Sequence, residues 1–83
     1  MDDAVQQADE AIGSHMTGPQ FRAIREKLGL SQIQWGRAIG YAGEPVSIHV
    51  CVRRFETMDR VPSQVARLAE MYERHGVPAE YIG

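Results

Sequence analysis

Eighty-three residues with a formal charge of −2, 43% of them hydrophobic, suffice for one small domain that buries only about 60% of the surface its unfolded chain exposes, so its elements must share one core. The single cysteine excludes an internal disulfide, and no apolar run is long enough to span a bilayer. The first residues are acidic rather than basic, which does not fit a secretory signal, and a reducing, cytoplasmic setting is the expectation.

Charge is distributed unevenly along the chain. Residues 1–16 contain Asp2, Asp3, Asp9 and Glu10 and no lysine or arginine, whereas the stretch from Arg22 to Arg60 carries seven basic residues against four acidic ones. A basic excess of that size is a weak pointer to a polyanionic partner. The opening M-D-D-A-V-Q-Q-A-D-E-A-I places Val5, Ala8 and Ile12 at helical spacing. Gly13-Ser14-His15-Met16 follows, which is what common expression vectors leave before a cloned start codon. Residues 1–16 are therefore expected to be an acidic leader with such a remnant, and 17–83 the domain. The competing readings are a natural acidic arm that covers the basic face, and a fused partner peptide.

The segment T-G-P-Q-F-R-A-I-R-E-K-L-G is punctuated as a complete helix. Thr17 and Gln20 fit a capping box, Pro19 is tolerated in the first turn, and Gly29 fits the position just past the end near Leu28. Phe21, Ile24 and Leu28 form its inward stripe; Arg22, Arg25 and Lys27 are expected on the solvated side, within reach of phosphates. A second helix starts at Ser31, capped with Gln34, and stops at Gly40. Gly36 in its middle costs about 1 kcal/mol relative to alanine, which makes sense where another helix crosses closely. A longer turn, Tyr41 to Val46, precedes a third helix over about 47–56, with Ser47 as a candidate cap.

That third stretch, V-S-I-H-V-C-V-R-R-F-E, gathers Ile48, Cys51, Val52 and Phe55 on one side and His49, Val50, Arg53 and Arg54 on the other. The outer arc has no acid until Glu56. Cations beside a small aliphatic suit a major groove, in which phosphates and guanine edges meet arginine and the thymine methyl meets valine. Two short helices, a turn and this arginine-bearing helix would make a helix-turn-helix.

L-S-Q-x-x-W-G-R-x-I-G followed by V-R-R-F-E resembles the Cro/repressor-type (xenobiotic-response-element-like) helix-turn-helix family over roughly residues 17–76, and D-R-V-P-S-Q-V-A-R-L resembles the Pro-started helix that closes the core in such proteins. Trp35-Gly36 stands where an aliphatic residue and alanine are usual, Phe55 where tryptophan is frequent, and the turn after Gly40 is several residues longer than the family's. The resemblance implies an all-α, four- to five-helix, lambda-repressor-like domain. It implies a sequence-specific transcriptional regulator, a repressor of phage or prophage type or an antitoxin-type autorepressor, with Gln32, Ser47, His49, Val50, Arg53 and Arg54 as DNA-binding residues. Gln32 would hold a phosphate and brace the third helix, His49, Val50 and Arg54 would reach base edges, and Arg53 would lie beside them. Double-stranded DNA is the implied partner, bound as a homodimer on half-sites about 34–36 Å apart.

Ser63 to His75 reads as a fourth helix, with Pro62 in its first turn and Val65, Leu68, Ala69 and Tyr72 in a stripe. Met71, Tyr72, Val77, Tyr81 and Ile82 exceed what so small a core absorbs, so this helix and its tail are the candidate dimer contact. Enzymatic readings find little support. His49 and Cys51 lie about 160° apart on a helix, too far to act as a pair or chelate one metal, and no phosphate-binding glycine loop, Cys-x-x-Cys or catalytic carboxylate pair is visible. Neither cofactor nor metal is expected. The competitor from another class is a protein-interaction adaptor whose basic face grips an acidic peptide.

Overall fold

The computed structural model describes residues 16–82, and these are all-helical, with no strand among them. The leader reading falls almost entirely on residues outside that range. Five helices follow in order: α1 Gly18–Lys27, α2 Gln32–Ala38, α3 Pro45–Glu56, α4 Ser63–His75 and α5 Ala79–Ile82. Helix α3 packs across both α1 and α2, α4 packs on α1, and α5 folds back onto α2. No helix of the described residues is long and apolar enough to cross a membrane.

The first two helices begin on reciprocal capping boxes, Thr17 with Gln20 and Ser31 with Gln34. In each, the hydroxyl accepts from the backbone N–H three residues on while the glutamine carbonyl accepts from the cap's own N–H, satisfying two orphan donors at once. Helix α3 begins differently. Its N-cap is Glu44 and Pro45 occupies the first turn, so the helix starts two residues earlier than the expected 47. A proline there brings a φ already suited to a helix and lacks only an N–H that would have had no partner. Ser47 is consequently not the cap; it lies exposed within the first turn.

The core is aromatic at its centre. Trp35 and Phe21 are fully buried with ring centroids 5.3 Å apart, and Phe55 and Tyr72 meet them edge-on at 6.0 Å. Tyr41, in the turn before α3, covers the Phe55 ring. The Trp35-Gly36 pair now has a physical account: the indole fills the space between α1 and α4, and the glycine next to it lets α3 in. A Cβ on Gly36 would stand 2.3 Å from Ile48 Cγ2 and 3.0 Å from Val52 Cγ2. Gly18 is tighter against backbone, since a Cβ there would stand 2.4 Å from the Glu56 carbonyl oxygen. The start of α1 is thereby pressed onto the end of α3, and two backbone hydrogen bonds of 2.8 Å, Gly18 N–H to Met58 and Val61 N–H to Met16, strap the segments together. Met16 is buried and belongs to this unit.

In α4 the buried line is Ala66, Ala69 and Tyr72, while Val65 and Leu68 are half-buried at its edge. The expected stripe is thus rotated by about one residue, because two alanines let the α4 backbone lie close to the core. Pro62 caps the helix rather than entering it. The Tyr72 hydroxyl donates to the Ala38 carbonyl at 2.6 Å, tying the end of α2 to α4. Burial first, and then the neighbouring Tyr81 phenol, push that hydroxyl above its ordinary value of 10.0.

Gly18→Ala is expected to lower stability by about 1–3 kcal/mol through overpacking, and Gly36→Ala to lower it by less, since the clash falls on a side chain and alanine recovers about 1 kcal/mol of helix propensity; urea unfolding of both variants checks the order. Tyr72→Phe should cost about 1 kcal/mol at neutral pH by orphaning the Ala38 carbonyl. Because the folded pKa lies above the unfolded one, the stability linked to neutral Tyr72 is complete below pH 10.0 and is lost as pH rises through the folded value. Melting curves across the alkaline range should therefore decline less steeply for Tyr72→Phe than for the parent.

Candidate nucleic-acid interface

Helix α3 presents two contrasting sides. Ile48, Val52, Phe55 and Glu56 are buried, whereas Val46, Ser47, His49, Val50, Arg53 and Arg54 are exposed. Cys51, expected in the core, is only half-buried at the boundary between the two. Glu56 is the feature that sets the electrostatics of the helix. It continues the Ile48–Val52 row by one more step of four, so its carboxylate turns inward instead of neutralising the arginines two and three residues before it.

There it is fully engaged. Oε2 accepts from Arg25 Nε at 2.6 Å and Oε1 from Gln32 Nε2 at 2.9 Å, joining α1, α2 and α3 through one carboxylate. The Arg25 and Glu56 side chains are only 13% and 5% exposed. Arg25 also donates through Nη1 to the Leu30 carbonyl at 3.0 Å, which holds the α1–α2 turn. Arg25 was expected among the solvated charges of the first helix; instead it is a largely covered counter-charge at the groove wall, because it lies four residues after Phe21 and directly after Ile24, at the flank of the inward stripe. Gln32 thus ties the start of α2 to the end of α3 through Glu56.

The remaining cations are deployed differently. Arg22 pairs with Glu26 at 3.3 Å and Lys27 with Glu73 at 3.4 Å, both in exposed positions where such pairs contribute little. Among the described residues, Arg53 and Arg54 have no ion-pair partner within reach. Arg22, Arg25, Ser31, Gln32, His49, Arg53, Glu56 and Thr57 line an open groove between the second half of α1, the start of α2 and the outer side of α3. Arg53 and His49 form its α3 wall. Thr57 secures the helix end by donating to the Arg53 and Arg54 carbonyls at 3.2 and 3.0 Å.

The structure therefore brings Gln32, His49 and Arg53 around one groove and sets Val50 and Arg54 on the adjoining exposed face, with Ser47 beside them near the helix start. Two participants were missed in the sequence. Glu56 was legible from its spacing, since 48, 52, 55 and 56 form one arc. Val46 was assigned to the turn, yet it is 74% exposed in the first turn of α3, on the same line as Val50 at 53%. No group of His, Cys, Asp and Glu able to hold a metal occurs among the described residues.

Compared with known families, with curated proteins and with solved structures, the chain finds no match in any of the three.

Removing the Glu56 carboxylate leaves a largely covered Arg25 without its counter-charge. Glu56→Ala should lower unfolding free energy by about 2–3 kcal/mol, less than for a fully enclosed pair because the groove admits water to Arg25, and Gln32→Ala by about 1 kcal/mol. Guanidinium unfolding of the two variants against the parent measures both.

Proposed function

We propose that this chain is a sequence-specific DNA-binding regulator of the helix-turn-helix type, with α2 and α3 as the paired helices and α3 in the major groove. The observation that carries the reading is that the acid nearest the α3 arginines is held by Arg25 and Gln32 at the inner wall of the groove, leaving an outward face of His49, Arg53, Arg54 and two valines with no acid among them. Cations flanking small apolar groups match phosphates flanking a groove floor of base edges and methyls. The close α2–α3 crossing at Gly36 and the Gln32–Glu56 bond support the finer fold, a lambda-repressor-like arrangement, because they fix one helix across the back of the other.

In this reading Arg54 makes a bidentate contact to guanine O6 and N7, and Arg53, at the groove wall with Arg22, holds a phosphate. His49 lies between the two roles. A homodimer contact in this reading would use the remaining apolar surface, where Met71 and Tyr81 are 46% and 50% exposed on α4 and α5. Tyr72, Val77 and Ile82, also expected at that contact, instead belong to the monomer: Tyr72 is buried in its core and the other two pack against it, so the self-contact is smaller than their inclusion would give. Repression of a phage-type or antitoxin operon in a cytoplasmic setting belongs to the same reading.

Selection of bound duplexes from a random pool tests it. A palindromic site should be enriched, Arg54→Ala should relax choice at one base position, at a cost of about 1–3 kcal/mol, and Arg53→Ala should weaken all sequences alike while reducing the salt slope by about one. An acidic amphipathic peptide that binds tightly while no duplex is enriched would favour the adaptor reading instead.

A further inference from the structure

Val46 and Val50 are two branched aliphatic side chains left in solvent on a helix that otherwise buries its apolar residues. They are four residues apart on one line of α3, separated by about 6 Å along the axis, and together with His49, Arg53 and Arg54 they make up most of its exposed side. A protein partner would need a broader apolar contact than two isolated valines. The cationic flanks call for a polyanion, and what lies between them is two methyl-bearing patches at a fixed spacing.

We infer that Val46 and Val50 read the C5-methyl groups of two 5-methylpyrimidines in the major groove, about two base pairs apart. This inference rests on the DNA-binding reading above and adds the chemistry of the bases that α3 selects. Among the four unmodified bases only thymine presents a methyl in that groove, 5-methylcytosine presents the same C5-methyl, and small aliphatic side chains are its natural contacts. Four residues along α3 span about 6 Å, which keeps the two methyls within about two base pairs of each other on a duplex with a 3.4 Å base spacing. Being near the start of α3, both are at the end of the helix that helix-turn-helix proteins direct at base edges. Val46 is the specificity residue the sequence concealed, since it joins the face only because Pro45 starts the helix early.

The test uses the full chain and the duplex enriched from the random pool. Each thymine is replaced singly by uracil, which removes only the methyl, and affinity is measured for the parent, Val46→Ala and Val50→Ala; both valines are exposed, so neither change disturbs the core. Two thymines about two base pairs apart should each lose about three- to tenfold in affinity on becoming uracil. Val46→Ala should abolish the loss at one and Val50→Ala at the other. At either position a 5-methylcytosine·guanine pair should bind better than cytosine·guanine, and the enriched sequence itself tells which source of the methyl is used. Uracil tolerated at every position, or a loss unchanged in both variants, overturns the inference while leaving an enriched site standing. If no duplex is enriched, this inference and the DNA-binding reading fall together.

Discussion

One carboxylate organises the molecule. Glu56 lies at the meeting point of three helices, and the Arg25 and Gln32 hydrogen bonds it accepts determine both the position and the charge of α3. Taking two charges out of water costs several kcal/mol per ion, so such a pair is sustained only when its geometry is good and the leftover lone pairs find donors. Here both oxygens have donors, and Arg25 spends a further N–H on the Leu30 carbonyl. The consequence reaches the other side of the helix: with its only buried acid facing inward, the outward face of α3 is cationic and apolar.

The steric arrangement works in the same direction. Gly36 admits Ile48 and Val52 to the α2 backbone, and Gly18 admits the end of α3 to the start of α1. Each removes a side chain where a helix would otherwise stand off, and together they leave α3 little freedom to roll. A rolled α3 would bring Glu56 outward and Arg54 toward the core, undoing the electrostatic separation. Packing and charge pairing are therefore two expressions of one constraint on that helix.

Local signals carried much of this in the sequence. Both capping boxes, the inward stripes of α1 and α3 and the close crossing at Gly36 depend on neighbours within a few residues or on helical periodicity, and those are readable from one chain. What escaped depends on partners far apart. Arg25 and Glu56 are 31 residues apart, and nothing local distinguishes a buried guanidinium from a solvated one except its place at the edge of a stripe. The start of α3 was misjudged because Gly43 and Pro45 read as a turn, although proline is equally at home in a helix's first turn; that shift of two residues hid Val46. In the tail, Val77 and Ile82 looked surplus because the return of α5 onto α2 has no signature in four residues.

The orientation of α3 depends on the coupling between Arg25 and Glu56, and a double-mutant cycle in urea unfolding measures it directly. With Arg25→Met, Glu56→Leu and the double variant, the buried, hydrogen-bonded pair predicts a coupling energy of about 1.5–3 kcal/mol, with the double variant more stable than either single one. A coupling near zero, with the two single losses simply adding, would mean that Glu56 does not hold α3 in the orientation from which its cationic face follows.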